Sequence, residues 1–268
     1  MTGSQEVHAD AREAVHRAVA AGIPVVFATG RAPVDIVHIA EMVGHRWFAV
    51  CSDGASIVDM RTDTVLQTRP LSLTAKQNAV AAARAFHSDV KFLVDRVVEG
   101  EIQHGSSGLV IERGFEAPWA DAIDAALHVD SIDEVLNDPT IVKMCAFIDH
   151  SAESHELFDG LHRAVHNFVH PIKIQSEKVF LDMASKGVSK ATGVEIVASF
   201  VGVDVADIFA VGDLHNDVDL LDWAGFSFAV ENAHPRVKDV ADVIVPSNDA
   251  GGVAAVITEA LQHLERDA

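Results

Sequence analysis

At 268 residues the chain can form one large domain or two modest ones, and 49% hydrophobic with 22% charged residues is typical of a globular protein with an ample core. Its 40 acidic and 20 basic residues give a formal net charge of −20, which disfavours nucleic acids and anionic membranes as partners and requires local cations wherever an anion binds. The chain has no apolar run near the roughly 20 residues of a membrane span, no apolar leader and two well-separated cysteines, so we expect a reduced, cytoplasmic protein.

The first 55 residues predict the beginning of an α/β domain. Its four elements are a helix over 10–22, a buried strand over 23–28, a helix over 33–44 and a short buried strand over 47–51. A helix between two buried strands forms a right-handed βαβ unit in nearly all cases, and open α/β sheets bind ligands at the carboxyl ends of their strands. Thr29, Gly30 and Arg31 follow directly on the first strand and therefore lie where a ligand is expected.

Residues 56–183 predict an inserted domain, because short strands and helices replace the α/β alternation after Asp53-Gly54-Ala55. Its elements are a hairpin-like pair around 57 and 65, helices near 75–86, 119–127 and 153–165, and strands over 90–94, 141–148, around 172 and over 179–181. We interpret this segment as an α+β cap whose sheet has one face covered by helices. Linkers near 53–56 and 183–187 would join it to the rest of the chain.

The α/β pattern then resumes over 184–268. Its elements are a helix over 187–201, strands over 208–211, 226–230 and 243–245, and a closing helix over 253–264. Residues 1–55 and 184–268 together predict a Rossmann-like parallel core sheet, with 56–183 as the inserted cap. The predicted fold class is therefore α/β.

The most informative stretch is IFAVGDLHNDVDLL, residues 208–221, in which an apolar strand ends at Gly212 and a helical pattern follows. Asp213 and Asp217 are four residues apart, so at the start of a helix their carboxylates face the same side and repel each other. A positive group between them would relieve the repulsion, and a hard cation such as Mg²⁺, held also by water and a substrate phosphate, fits this arrangement. An Asx-rich turn that caps the helix is the simpler alternative.

Two further segments predict an anion site. Lys190 lies near the predicted start of a helix, where the macrodipole disfavours a cation, so an anion held jointly by the lysine and the helix terminus is the better explanation. The nearby Lys186 is predicted to be a solvated surface residue. Thr29 and Gly30 offer a hydroxyl and an unhindered backbone N–H just before another helix, although a plain strand-to-helix turn has the same sequence.

Four ordered stretches resemble the haloacid dehalogenase (HAD) superfamily, and most closely its Cof-type phosphatases: VVFATGR, SKGVSK, VGDLHNDVDLL and the tail AGFSFAVENAHPRVKDVADVIVPSNDAGGVAAVI. The resemblance covers essentially the whole chain. It implies phosphate contacts from Thr29, Gly30, Lys190 and Asn216, a Mg²⁺ ligand in Asp213 and a supporting residue of the metal site in Asp217. It also implies hydrolysis of a small phosphomonoester, such as a sugar phosphate, through an aspartyl-phosphate under a closing cap.

The chain departs from that family in two places. It has Asp53-Gly54-Ala55 where Asn-Gly-Ala is usual, which adds negative charge near the cap hinge. It also lacks the Asp-x-Asp-Gly-Thr motif that supplies the family's nucleophile and its general acid/base. Asp95 and Asp149 end apolar runs but lie in the predicted cap, and Asp217-Val218-Asp219 lies in a helix. We therefore expect no catalytic nucleophile in these 268 residues.

The missing motif belongs to a strand that the family places between the strands predicted at 25–28 and 208–211. Because neighbouring strands are ~4.8 Å apart, its absence would leave these two nearly ~10 Å apart or make them pair directly. We expect that Met1 is an internal start and that the chain as given is inactive.

Two functions remain open: a Mg²⁺-dependent phosphatase of small phosphorylated metabolites by lineage, and a non-catalytic protein that binds a phosphorylated ligand or a partner through the same fold. A mutase or phosphotransferase would need the same missing nucleophile and is less favoured. The sequence predicts neither the particular substrate nor an oligomeric state.

Overall fold

The computed structural model describes residues 7–102, 108–116, 126–149, 154–174 and 179–267. Its helices are α1 (Ala9–Ala20), α2 (Pro33–Val43), α3 (Leu73–Phe86), α4 (Ser154–Val165), α5 (Lys190–Val201), α6 (Val218–Trp223), α7 (Pro235–Val240) and α8 (Gly252–Asp267). Its strands are β1 (Phe27–Ala28), β2 (Phe48–Cys51), β3 (Ser56–Asp59), β4 (Thr64–Thr68), β5 (Lys91–Arg96), β6 (Gly100–Glu101), β7 (Leu109–Glu112), β8 (Leu127–Val129), β9 (Ile141–Ile148), β10 (His170–Ile174), β11 (Val179–Ala184), β12 (Phe209–Gly212), β13 (Phe226–Val230) and β14 (Val243–Val245). The helix predicted over 119–127 lies outside the described residues except at its end, where β8 begins. Within the described ranges, no helix combines the length and the hydropathy needed to cross a membrane.

The first sheet has the strand order β1-β2-β3-β4-β6. β1 and β2 are parallel, with Phe27 opposite Ala49, and α2 connects them as the predicted βαβ unit requires. β3 and β4 form a hairpin whose first strand runs antiparallel to β2 along its whole length. The first sheet therefore continues past residue 56, into the segment that the sequence assigns to the insert.

The second sheet has the strand order β10-β11-β9-β5-β7-β8 and is antiparallel except between β7 and β8. Side chains of its central strand β9 alternate between two faces, and all of them are buried. Met144 packs in the core formed with α3 and α4, whereas Cys145 and Phe147 belong to a separate cluster on the opposite face. Lys143 lies on that opposite face, and its ammonium donates a hydrogen bond to the Gly30 carbonyl oxygen of the first sheet's β1–α2 turn.

The third sheet, β12-β13-β14, is parallel throughout. Phe209 of β12 stacks on Phe226 of β13 with their ring centroids 4.3 Å apart. Helices α6, α7 and α8 pack against these strands. This agrees with the strands and the closing helix predicted for the C-terminal part of the chain.

β1 and β12 belong to separate sheets, and no pairing joins them within the described residues. An apolar cavity of about 470 Å³ lies between them, lined by Val26 and Ala28 on one side and by Phe209 and Val211 on the other. β1 is also shorter than the strand predicted over 23–28. Ile23 does not begin the strand, because its N–H donates to the Ala18 carbonyl oxygen at the end of α1. The two strands between which the family resemblance predicts a further strand are thus separated by an apolar space.

Helix α5 begins at Lys190, later than predicted, because Ser189 caps it. The Ser189 hydroxyl accepts from the Thr192 N–H, and the Thr192 hydroxyl accepts from the Ser189 N–H. The cap lies directly on the turn after β2: a Cβ at Gly54 would be 2.0 Å from the Ser189 carbonyl oxygen. Glycine at position 54 thus allows the N-terminus of α5 to approach the end of β2.

Gly54→Ala is expected to lower the free energy of unfolding by about 3 kcal/mol or more, because alanine would both adopt a φ of +99° and meet backbone atoms. Gly187→Ala is the matched control, with a φ of +76° and no atom within 4 Å of the added Cβ, so that only conformational strain of about 1–2 kcal/mol is expected. Urea denaturation of both variants measures the difference. Equal losses would contradict the close approach of α5 to Gly54.

Candidate functional site

Three turns and the N-terminus of α5 meet at the carboxyl ends of β1, β2 and β12. The turns comprise residues 29–31, 52–54 and 213–217. The Asp53 N–H donates to the Thr29 carbonyl oxygen at 3.0 Å, and Asn216 Nδ2 donates to Asp53 Oδ1 at 2.8 Å. These contacts bring three segments that are distant in the sequence into one site.

Lys190 and Asp217 form a buried ion pair, with Lys190 Nζ 2.6 Å from Asp217 Oδ1. The other carboxylate oxygen, Oδ2, accepts from the backbone N–H groups of Asp213 and Leu214, each at 3.0 Å. A Cβ at Gly212 would be 2.4 Å from the Asp217 Cβ, so the residue before this turn has to be glycine. The Lys190 ammonium therefore lies beside one of the two aspartates of this turn, and Asp217 positions both this ammonium and the turn.

Asp213 is the partly exposed carboxylate of the turn. Burial raises its pKa, and the neighbouring Asp217 adds to the increase while Lys190 opposes it. A carboxylate whose ionised form is disfavoured in this way gains from a bound cation, and its oxygens suit Mg²⁺. No group of three or more His, Cys, Asp or Glu side chains in the described part of the chain is arranged to hold a metal. Asp213 therefore fits Mg²⁺ only together with water or a phosphorylated ligand.

Asn216 directs its amide into the site. Its Nδ2 is engaged by Asp53, whereas its Oδ1 is buried without a hydrogen-bond partner among the described residues. An unsatisfied buried acceptor is unfavourable unless a ligand or water satisfies it. Asn216 therefore remains a candidate contact for a bound molecule.

Asp53 is 1% exposed and has a left-handed backbone, with a φ of 55°. Its carboxylate packs against Gly30, where an added Cβ would be 3.0 Å from both carboxylate oxygens. Burial by itself raises the pKa of Asp53, but Lys143, Lys190 and the hydrogen bond from Asn216 together hold it below its ordinary value. The carboxylate is therefore ionised and surrounded by positive groups.

Thr29 contributes mainly through its backbone. Its hydroxyl accepts from the Arg31 N–H at 3.1 Å, and its carbonyl oxygen accepts from the Asp53 N–H. Thr29 and Gly30 thus form the turn predicted after β1. The exposed Lys186, by contrast, is a surface lysine, as expected.

Sequence reasoning missed a second buried cation, Lys143 of β9. Lys143 Nζ lies 2.6 Å from the Gly30 carbonyl oxygen, 2.9 Å from Asp182 Oδ2 and 3.3 Å from Asp53 Oδ2. On the neighbouring strand, Asp95 accepts a hydrogen bond of 2.7 Å from the Ser52 hydroxyl. Lys143 and Asp182 are each the single charged residue of an otherwise apolar strand, and that was the available signal.

A cleft of about 390 Å³ opens from this site toward the second sheet. Asp53, Lys190 and Asn216 line its floor. The opposite wall includes Phe158, His162 and His170 from the segment of the second sheet, while His215 and Arg236 lie at its side. The cleft is large enough for a small polar metabolite and is bordered by both acidic and basic groups.

Residues 1–257 match the family model of the haloacid dehalogenase-like hydrolases. A phosphoglycolate phosphatase of Archaeoglobus fulgidus is 43% identical over 244 residues, covering 90% of this chain and 83% of that protein. YxeH of Bacillus subtilis, named as a candidate phosphatase, is 25% identical over 258 residues, covering 95% and 92%. A solved haloacid dehalogenase-like hydrolase from Bacillus subtilis superposes with a TM-score of 0.77 at 19% identity, covering 96% of this chain and 95% of that one.

The difference in free energy of unfolding between Asp95→Asn and wild type is expected to grow in favour of the variant as the pH rises from 4 to 7. Burial raises the pKa of Asp95 to about 6, although Lys143 and the Ser52 hydroxyl oppose the increase. Between about pH 4 and 6 the folded state then binds a proton that the unfolded state has lost, so this aspartate reduces stability as the pH rises through that window. An amide at position 95 does not titrate. The free energy of unfolding of Asp95→Asn, measured by urea denaturation, should therefore exceed that of wild type by roughly 1–3 kcal/mol at pH 7.

Asp242→Asn provides a control of opposite sign. Hydrogen bonds from the hydroxyl and the N–H of Ser227 lower the pKa of Asp242. The contribution of this carboxylate to the free energy of unfolding is therefore present above about pH 4 and is lost as the pH falls. This variant should therefore lose more stability at pH 7 than at pH 3. The same pH slope for both variants would contradict the assignment of Asp95.

Proposed function

The chain belongs to the haloacid dehalogenase-like hydrolases, and from this membership we propose that its site binds the phosphoryl group of a small phosphorylated metabolite, such as a sugar phosphate. The observation that carries the proposal is the buried Lys190 ammonium, which Asp217 holds at the N-terminus of α5, on the same cleft as Asn216. A lysine beside a helix N-terminus concentrates positive charge, which an anionic group satisfies. The phosphatase relative from Archaeoglobus fulgidus supports a small phosphomonoester as the ligand.

In this proposal the phosphoryl oxygens contact Lys190, Asn216 and the Thr29-Gly30 turn. Asp213 holds Mg²⁺, which would neutralise charge on the phosphoryl group, and Asp217 supports the metal site by fixing the turn. Lys190 would also neutralise charge on the phosphoryl group, and it would do so without moving, because Asp217 already orients its ammonium. Such preorganised charges stabilise a transferring phosphoryl group.

We further propose that residues 56–183 act as a cap over this site, with the core formed by 1–55 and 184–268. The support is the cleft itself, whose wall carries Phe158, His162 and His170 opposite the predicted phosphate residues. His170 Nε2 also lies 3.7 Å from Asp219 Oδ2 of α6, across the cleft. A cap of this kind excludes water from the ligand and selects its leaving group.

The family reaction passes through an aspartyl-phosphate. We propose that these 268 residues bind the phosphoryl group of the ligand but do not hydrolyse the phosphomonoester. The printed sequence contains no Asp-x-Asp-Gly-Thr motif. Asp217 has both oxygens engaged, and Asp95 is buried beneath Ser52. The apolar cavity between β1 and β12 lies where the family carries its nucleophile strand, which supports the same conclusion.

The alternative function is a non-catalytic protein that binds a phosphorylated ligand through the same residues. What favours it is that the carboxylates bonded to Lys190 and Asn216 in the described part of the chain are already engaged: Asp217 bonds to Lys190, and Asp53 bonds to Asn216 and Lys143. Both functions expect ligand binding and no turnover by these 268 residues, so phosphate release by a version that carries the Asp-x-Asp-Gly-Thr strand is the measurement that distinguishes them.

Asp213→Asn is expected to remove most of the rise in melting temperature that Mg²⁺ produces, because the amide keeps the shape of the side chain but lacks its charge. A ligand at a hundredfold excess over its Kd stabilises by about 2.7 kcal/mol, which a thermal melt detects easily. Asp222→Asn makes the same change on an exposed residue of α6 and should retain the full effect, as should Lys186→Ala. If Asp213→Asn and Asp222→Asn respond alike to Mg²⁺, the metal assignment is wrong.

Residues 1–268 should hydrolyse phosphomonoesters no faster than their Asp213→Asn variant, because both lack the carboxylate that would accept the phosphoryl group. The measurement is release of inorganic phosphate from a panel of sugar phosphates and phosphoglycolate with Mg²⁺ present. Mg²⁺-dependent turnover by the unmodified chain, absent from the variant, would show that another carboxylate serves as nucleophile.

A further inference from the structure

The proposed function assigns Thr29, Gly30, Lys190 and Asn216 to a phosphate seat. Asp53 places a negative charge inside this seat. Its Oδ1 accepts from Asn216 Nδ2 at 2.8 Å, and both of its carboxylate oxygens pack against Gly30. The positive charge of Lys190 acts on the same carboxylate. Gly30, Lys190 and Asn216 are three of the four residues expected to contact a phosphoryl group.

We propose that the Asp53 carboxylate competes with phosphate for this anion seat and so weakens the affinity of the site for phosphate. The inference rests on the proposed function, since it assumes that the seat is the phosphoryl site. The carboxylate already accepts from the Asn216 amide, which a phosphoryl dianion would also require, so the two anions compete for this donor.

A simpler explanation would make Asp53 only the counter-ion of Lys143. The distances argue against it: Lys143 Nζ is 2.6 Å from the Gly30 carbonyl oxygen and 2.9 Å from Asp182, but 3.3 Å from Asp53. Lys143 therefore has two closer oxygen partners without Asp53. The shortest contact of the Asp53 carboxylate is with Asn216, a residue of the seat.

The backbone also favours this placement. Ser52 and Asp53 both have positive φ, at 48° and 55°, which is uncommon for residues other than glycine. The Ser52 hydroxyl bonds to Asp95 and the Asp53 N–H bonds to the Thr29 carbonyl oxygen, so two contacts hold the turn in this conformation. The carboxylate is thereby directed toward Gly30 and Asn216.

The charge around the seat leaves no excess of cations for a dianion. Each ammonium already contacts a carboxylate other than Asp53: Lys190 contacts Asp217, and Lys143 contacts Asp182. Asp53 is therefore an additional negative charge, and at such short range its repulsion of a second anion is large even with strong screening. Asparagine at position 53 would keep the size of the side chain and remove this repulsion.

The test compares Asp53→Asn with wild type by calorimetric titration of inorganic phosphate in the presence of EDTA. The expected result is at least about tenfold tighter binding by Asp53→Asn. Asp182→Asn is the matched control, because it removes an equal charge from Lys143 but does not touch Gly30 or Asn216, and it should change the affinity far less. If Asp53→Asn does not fold by thermal melt, Asp53→Gly replaces it, since glycine accepts the left-handed backbone.

Two outcomes would overturn the inference while leaving the proposed function intact: an affinity of Asp53→Asn within twofold of wild type, or an equal gain from Asp182→Asn. A further variant, Asn216→Ala, separates this failure from failure of the proposed function. If Asn216→Ala weakens phosphate binding while Asp53→Asn leaves it unchanged, the phosphate seat stands and only the role of Asp53 is wrong. If no variant binds phosphate, or if Asn216→Ala binds as wild type does, the proposed phosphate seat is wrong as well, and the inference fails with it.

Discussion

The buried ammonium of Lys143 is the constraint on which the rest of the site depends. Removing an ammonium from water costs several kcal/mol unless oxygens surround it, and Lys143 obtains them from the Gly30 carbonyl and from Asp53 and Asp182. These oxygens belong to the turn after β1, the turn after β2 and the second sheet. The docking of that sheet and the shape of both turns are therefore coupled through one cation, and a change in any of them removes one of its oxygen partners.

A second buried cation, Lys190, approaches the site from α5. Its partner Asp217 uses its other carboxylate oxygen to hold the turn after β12, so that one side chain fixes both the charge and the backbone. Asp53 lies between the two lysines and links the two arrangements through Asn216. The electrostatic character of the cleft thus arises from contacts between sheets, and no single sheet provides it.

Periodicity predicted the α/β class and the order of most elements, and strand-end reasoning predicted that Thr29, Gly30 and Arg31 follow a strand where a ligand is expected. They predicted less well where pairing or side-chain caps decide the outcome. The start of α5 depends on the mutual bonds of Ser189 and Thr192, and the hairpin of β3 and β4 joins the first sheet because it pairs with β2. No local pattern contains that pairing.

The role of Lys143 could not be predicted for a related reason. Strand alternation indicates which face of β9 the lysine occupies, but not which residues of another sheet lie opposite. The same holds for Asp53: its sequence context marks a turn, whereas its contact with Asn216 spans more than half of the chain. Long-range contacts between charged groups are decided by topology, which a single sequence specifies only indirectly.

The separation of β1 from β12 also has a mechanical consequence. A continuous sheet resists compression through its backbone ladder, but here side chains alone bound an apolar space of about 470 Å³. Unfolding eliminates such internal voids, and hydrostatic pressure favours the state of smaller volume. We therefore expect pressure to act on the seam between these two strands and to shift the relative position of the two halves of the site.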